Sequence, residues 1–217
     1  MIKNEFLKRI ISSAVLLPLI LYIIAKGSVL FDLLIVLCFF ISIHEWYKIS
    51  INKTNYLFGV LFLALSFYSV YFLRYNSPEE YIFFIIVGII CIMTDIGGYV
   101  FGKLFKGPKL LKISPNKTIS GMFGSFFSPL ISIFFFINME ILNQSIIQSK
   151  FILIVFILFI SAVSQAGDIF ISYFKRLSDV KDTGNIIPGH GGLLDRIDGM
   201  IFSFPVSLLI LKIIQLM

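Results

Sequence analysis

The sequence predicts an all-α, polytopic integral membrane protein with about seven transmembrane helices and a cytoplasmic N-terminus. Three observations predict it. Of 217 residues, 58% are hydrophobic and 14% charged, against roughly 25% charged in a soluble domain, and mean hydropathy is +0.97. Seven apolar stretches are long enough to cross about 30 Å of hydrocarbon at about 1.5 Å per residue. Fourteen of the eighteen Lys and Arg residues fall on one side of the resulting topology, which the positive-inside rule makes the cytoplasm.

The first span, near 10–25, follows Lys3, Lys8 and Arg9. Its "RIISSAVLLPLILYIIAKG" leads into further apolar segments rather than a soluble body, so it is expected to stay as a helix and not be cleaved as a signal peptide. "AKGS" is a tight connection to the second span, 28–48, and a re-entrant hairpin there would reduce the count to six. The third span covers 56–73. "RYNSPEE" at 74–80 carries turn residues and divides the N-terminal helices, 1–75, from a second region, 76–217, for which the polar residues below suggest chemistry. There, spans at 81–102 and 122–140 flank the loop 103–121, and spans at 150–174 and 194–216 flank the loop 175–193. Both loops are placed in the cytoplasm. Cys38 and Cys91 lie inside apolar runs and read as small core residues rather than a disulfide or metal pair. A net charge of +6 would suggest nucleic acid in a soluble protein, but in a membrane chain basic residues first report topology. No nucleic-acid partner is expected.

Polar residues at membrane depth stand out. In "SAVSQAGDIFISYFK", Ser161, Ser164, Asp168, Ser172 and Lys175 step by three or four and share one helix face. The serines fit hydrogen bonding between helices. An intramembrane carboxylate costs on the order of 3 kcal/mol and is kept for an ion, a partner charge or a proton, which makes Asp168 a functional candidate. Asp195 and Asp198 stand three apart at the start of the seventh span and project from one side of it; a favourable match to the helix dipole is the plainer alternative. In "TDIGGYVFGK", Asp95 is another deep carboxylate, a partner for a lysine or a substrate contact, with Gly98 and Gly102 on one side for close helix approach.

The connection 175–193 ends in "PGHGG", whose Gly189, Gly191 and Gly192 permit positive φ and exposed N–H groups. Beside Lys175, Arg176, Lys181 and Arg196 this becomes a candidate phosphate cradle. His190 there is either structural or a phosphate contact. The loop 103–121 carries five lysines; Lys103, Lys106, Lys109 and Lys112 fit topology and contact with anionic lipid headgroups. Lys117 and Thr118 of "SPNKT" are candidates for a polyphosphate. The sequence holds no Walker pattern and no zinc-like Cys/His spacing. Carboxylates for a hard cation, with basic groups for phosphates at the edge of the bilayer, suit Mg²⁺ and phosphoryl or nucleotidyl transfer involving a lipid.

"SYFKRLSDVKDTGNIIPGHGGLLDRID", Ser172 to Asp198, resembles the diagnostic motif of the phosphatidate cytidylyltransferases, the CDP-diacylglycerol synthases, without gap or mismatch. "SQAGD", "DIGGYVFGK", "SPNKT" and "HEWYKI" with Glu45 and Trp46 are similar to the family as well, so the likeness covers roughly 40–215. It implies an integral membrane enzyme that joins CTP and phosphatidate into CDP-diacylglycerol and pyrophosphate. Asp168 and Asp195 match the carboxylates that hold the metal, Mg²⁺ with a second cation, K⁺ or Mg²⁺, with Asp198 close by. The likeness also implies a homodimer in the cell inner (plasma) membrane, among membrane lipids, with its active site facing the cytoplasm. On this reading Lys175, Arg176, Lys181 and Arg196 bind triphosphate or lipid phosphate, while Asp182 and Asp198 orient the site. His190, Gly191 and Gly192 shape the loop, and Lys117, Thr118 and Asp95 complete the substrate contacts. Three positions depart from the usual pattern: Ile171 and Ser120 replace glutamates, and Gly199 stands where Ser is common. The alternatives are an ion or lipid transporter with Asp95 and Asp168 on its pathway, and an alcohol phosphotransferase acting on a CDP-lipid, whose expected Ala-Arg and later Gly and Asp pair are absent.

Overall fold

The structure is a computed structural model that describes residues 2–50, 52–109, 117–138, 149–187, 189 and 191–216. Among these residues seven helices follow one another: α1 (Ile2–Lys26), α2 (Ser28–Ile49), α3 (Lys53–Tyr75), α4 (Pro78–Phe105), α5 (Ile119–Asn138), α6 (Lys150–Leu177) and α7 (Leu194–Leu216). Five of them, α2 to α6, are long and apolar enough to cross a membrane. The apolar part of α1 is shorter, Ala14–Lys26, and α7 carries Asp195, Arg196, Asp198 and Lys212 within 23 residues. Local signals explain the boundaries. Gly27, at φ 64°, turns the chain between α1 and α2, a conformation that favours glycine. Ser77 caps α4 by accepting from Glu80 N at 3.2 Å, with Pro78 in the first turn and Glu79 and Glu80 matching the dipole.

The chain divides into two compact units, each discontinuous in sequence. The first comprises Met1–Phe67 and Phe174–Ile197, and the second Tyr68–Tyr173 and Asp198–Met217.

Within the first unit, Phe31, Trp46, Ile49, Leu63, Phe67 and Leu194 are buried. Trp46 is held on three sides. Its ring lies 5.0 Å from that of Phe174, and its indole N–H donates to Asn55 O at 3.3 Å. Gly59 of α3 leaves the space the indole fills, for a Cβ there would overlap it. Ser178 Oγ donates to Ile49 O at 2.8 Å, satisfying one of the carbonyls that the end of α2 leaves unpaired.

The second unit packs α4, α5 and the Lys150–Tyr173 part of α6 around Phe83, Phe84, Val87, Ile90, Ile157 and Ile160. The close approach expected at Gly98 and Gly102 is present. A Cβ on Gly98 would lie 2.6 Å from Ser125 Oγ, and one on Gly121 would lie 2.7 Å from Gly98 O. Small residues therefore set the α4–α5 distance, as they do where helices pack without help from water. The serine stripe also turns inward: Ser161 Oγ lies 2.6 Å from Thr94 Oγ1 and donates to Ser125 O at 2.8 Å, tying α6 to α4 and α5. Lys212 Nζ approaches Glu80 Oε1 at 3.5 Å, joining the far end of α7 to the start of α4, two points the topology puts on one side.

Candidate active site

In the first unit the centre is Asp195, in the first turn of α7. Its Oδ1 accepts from Lys175 Nζ at 2.7 Å. Its Oδ2 accepts from Thr183 N at 2.8 Å, Thr183 Oγ1 at 3.1 Å and Gly192 N at 3.2 Å. Local placement explains the ion pair, with a cation in the last turn of α6 and a carboxylate in the first turn of α7, each where the helix dipole favours it. Side-chain exposures of 11% for Lys175 and 8% for Asp195 leave little water to screen it.

Glu45, near the end of α2, is fully buried at 0% exposure. Its Oε1 accepts from Leu193 N at 3.0 Å, and its Oε2 accepts from Leu194 N at 2.7 Å and Thr183 Oγ1 at 2.9 Å. Two glycines admit it: a Cβ on Gly184 would overlap its carboxylate, and one on Gly192 would lie 2.7 Å from Oε2. Gly189 and Gly191 adopt the positive φ expected of them, 77° and 89°, and Ile187 N donates to Gly191 O at 3.0 Å across the turn.

The loop amides differ from the expected phosphate cradle. The N–H groups of Gly192, Leu193 and Leu194 point to Asp195 and Glu45, so the anions they meet are carboxylates of the protein itself. The physical reason is proximity, because a tethered carboxylate needs no binding entropy to reach the start of a helix. Arg176, Lys181, Asp182 and Arg196 are exposed, and Asp182 lies beside Gly191, whose Cβ would sit 3.5 Å from it and from Asp195 Oδ2. His190 lies outside the described residues.

In the second unit, Asp168 Oδ2 pairs with Lys117 Nζ at 2.5 Å, both side chains 27% exposed, and Oδ1 accepts from Ser172 Oγ at 3.2 Å. Thr118 starts α5: its Oγ1 accepts from Gly121 N at 3.1 Å and lies 3.0 Å from Ser120 Oγ. That is the geometry of a helix cap. Ser120 Oγ bonds to Lys106 O, Ile119 N donates to Pro108 O at 3.1 Å, and Lys109 bridges Thr118. Lys117 is thereby anchored at the edge of α5. Asp95 is exposed on α4. Asp198 is buried, and its Oδ1 accepts from Gly199 N at 2.8 Å.

The three departures from the motif have visible settings. Ile171 is a buried core residue, and the Ser120 hydroxyl serves the loop as above. A Cβ on Gly199 would overlap Ser164 Oγ, so a serine there would need α6 and α7 to shift.

Among the described residues no three Asp, Glu, His or Cys side chains gather into a metal-binding group. Asp168 and Asp195 nevertheless each present hard oxygens to a cation, the ammonium of Lys117 or Lys175, and carboxylate oxygen is the donor Mg²⁺ takes. Glu45 and Thr183 were not among the expected site residues. Glu45 had a readable signal, a carboxylate near the end of a span that is apolar apart from Asp32 and the residues beside Glu45 itself, to which the rule applied to Asp168 applies equally.

Helices long and apolar enough to cross a membrane, with a carboxylate–lysine pair in each compact unit, define the class as a membrane protein. Comparison with known sequences gives the family. Residues 51–214 match the model of the cytidylyltransferase family, and the chain belongs to it. It is 35% identical to the phosphatidate cytidylyltransferase of Rickettsia felis over 94% of this chain and 91% of that one. The figures for the phosphatidate cytidylyltransferase of Rickettsia prowazekii are the same. That of Staphylococcus aureus (strain COL) is 38% identical over 61% of this chain and 50% of its own.

Proposed function

We propose that the protein transfers CMP from CTP to phosphatidate, giving CDP-diacylglycerol and pyrophosphate. The observation that carries this reading is the 35% identity, over 94% of the chain, to a phosphatidate cytidylyltransferase. The site faces the cytoplasm from the inner (plasma) membrane, a placement supported by the Lys and Arg distribution. Homodimeric assembly rests on the family resemblance alone.

A phosphate oxygen of phosphatidate attacks the α-phosphorus of CTP in line. One P–O bond forms, the bond to the β-phosphate breaks, and its electron pair leaves with pyrophosphate. Phosphatidate is ionised near pH 7, so no base has to remove a proton. The difficulty is instead bringing two polyanions together and aligning them. Lys175 and Lys117 supply ammonium groups for this, each held ready by its carboxylate, and Arg176, Lys181 and Arg196 add exposed positive charge. Asp168 and Asp195 are each a carboxylate that would hold Mg²⁺, with K⁺ or a further Mg²⁺ as second cation; the metal would supply neutralisation of phosphate charge.

The test is phosphatidate-dependent release of pyrophosphate from CTP by the purified full chain in phospholipid micelles. Release that needs both substrates is the expected result. Release absent in every lipid mixture would end this reading.

A further inference from the structure

We propose that Glu45 is a positioning residue for the reaction, acting on Asp195 through Thr183 and the start of α7. The inference rests on the proposed activity; Glu45 stands in "HEWYKI" on α2, outside the Ser172–Asp198 stretch.

A helix start leaves N–H groups without partners, and a neighbouring serine or aspartate normally satisfies them. Here the acceptor comes from 148 and 149 residues away in sequence and is a wholly buried carboxylate. Burying a charge costs far more than burying a hydroxyl, so capping alone is a poor account of Glu45. What the carboxylate adds is a second contact. Thr183 Oγ1 lies 2.9 Å from Glu45 Oε2 and 3.1 Å from Asp195 Oδ2, and Thr183 N donates to that same Oδ2. Glu45 thus fixes both the threonine that holds Asp195 and the first turn that carries it. With Oδ2 engaged by the N–H groups of Thr183 and Gly192, and by the Thr183 hydroxyl whenever its single proton is not on Glu45, the Asp195 carboxylate keeps one orientation, Oδ1 towards Lys175. Gly184 and Gly192 are the clearance this requires, since a side chain at either would strike the carboxylate.

Glu45→Gln keeps the volume but sets an NH₂ group against a backbone N–H or the threonine hydroxyl. In the full-length enzyme it is expected to lower kcat by about 10-fold or more, with KM for CTP and phosphatidate changed by no more than about twofold. Thr183→Val should do the same, and Thr183→Ser, which restores the hydroxyl, should recover most of the rate. The double variant Glu45→Gln/Thr183→Val should be no slower than the slower single one, because both break one link. Wild-type kcat in Glu45→Gln, or equal loss in Thr183→Ser and Thr183→Val, would overturn the proposal. If Glu45→Gln does not fold, the two Thr183 variants decide. Amide exchange over residues 183–195 reads the link without turnover: faster exchange in Glu45→Gln is expected, and unchanged exchange overturns it. A wild-type enzyme without activity would refute the proposed function, while the exchange result still decides the case of Glu45.

Discussion

Two carboxylate–lysine pairs, one in each compact unit, look alike by distance and differ in everything around them. Asp195 meets Lys175 at 2.7 Å and Asp168 meets Lys117 at 2.5 Å. Asp195, however, takes three further hydrogen bonds and is nearly buried, whereas Asp168 takes one, from Ser172, and more than a quarter of its side chain is exposed. An ammonium–carboxylate contact is therefore a poor guide to how firmly a charge is held. The donors around it decide whether it is a fixed anchor or a group that can change partner.

The comparison can be broken, most decisively at the carboxylates. Asp195→Asn and Asp168→Asn should each reduce phosphatidate-dependent pyrophosphate release to background while the protein still inserts. Near-normal turnover in either purified variant removes that residue from the metal assignment. The lysines should then separate the two settings. Lys175→Met leaves Asp195 buried without its cation and should cost about 3–5 kcal/mol, whereas Lys117→Met, at a more exposed pair, should cost about 0–1 kcal/mol. Thermal midpoints in detergent check this, and equal shifts would show that burial does not distinguish the pairs. Gly192→Ala puts a methyl group against Thr183 and Glu45 and should cost about 1–3 kcal/mol, lowering activity with it; unchanged midpoint and activity would mean that the loop has slack. Lys212→Met is an intermediate case, because 43% of the Lys212 side chain is exposed while Glu80, 3.5 Å away, is only 2% exposed. A loss of about 1–3 kcal/mol with unchanged turnover is expected from leaving that carboxylate without its ammonium, and a large drop in turnover would place the Glu80 end of the fold in the reaction.

Much of the fold was legible because its signals are local. Apolar length located the seven helices found among the described residues, five of them long and apolar enough to cross a membrane, and steps of three and four residues picked out Ser161 and Asp168 on one face. The spacing of Gly98 and Gly102 announced a close helix contact. The loop was legible as special, through Gly189 and Gly191, but not in what its amides bind. Hydropathy and spacing carry no information about a partner some 148 residues away, so Glu45 could not be matched to Leu193 and Leu194. For the same reason Lys117 was readable as a candidate for a polyphosphate but not as the partner of Asp168.

Thr183 has a single hydroxyl proton and two carboxylates within reach, at 2.9 and 3.1 Å. Choosing between them takes only rotation about the Cβ–Oγ bond, a local motion far faster than any backbone rearrangement. Whenever charge on Asp195 is met from elsewhere, the proton can turn to Glu45. The buried glutamate is then better compensated at the moment its neighbour needs the hydroxyl least, and the adjustment asks for no more than one rotor.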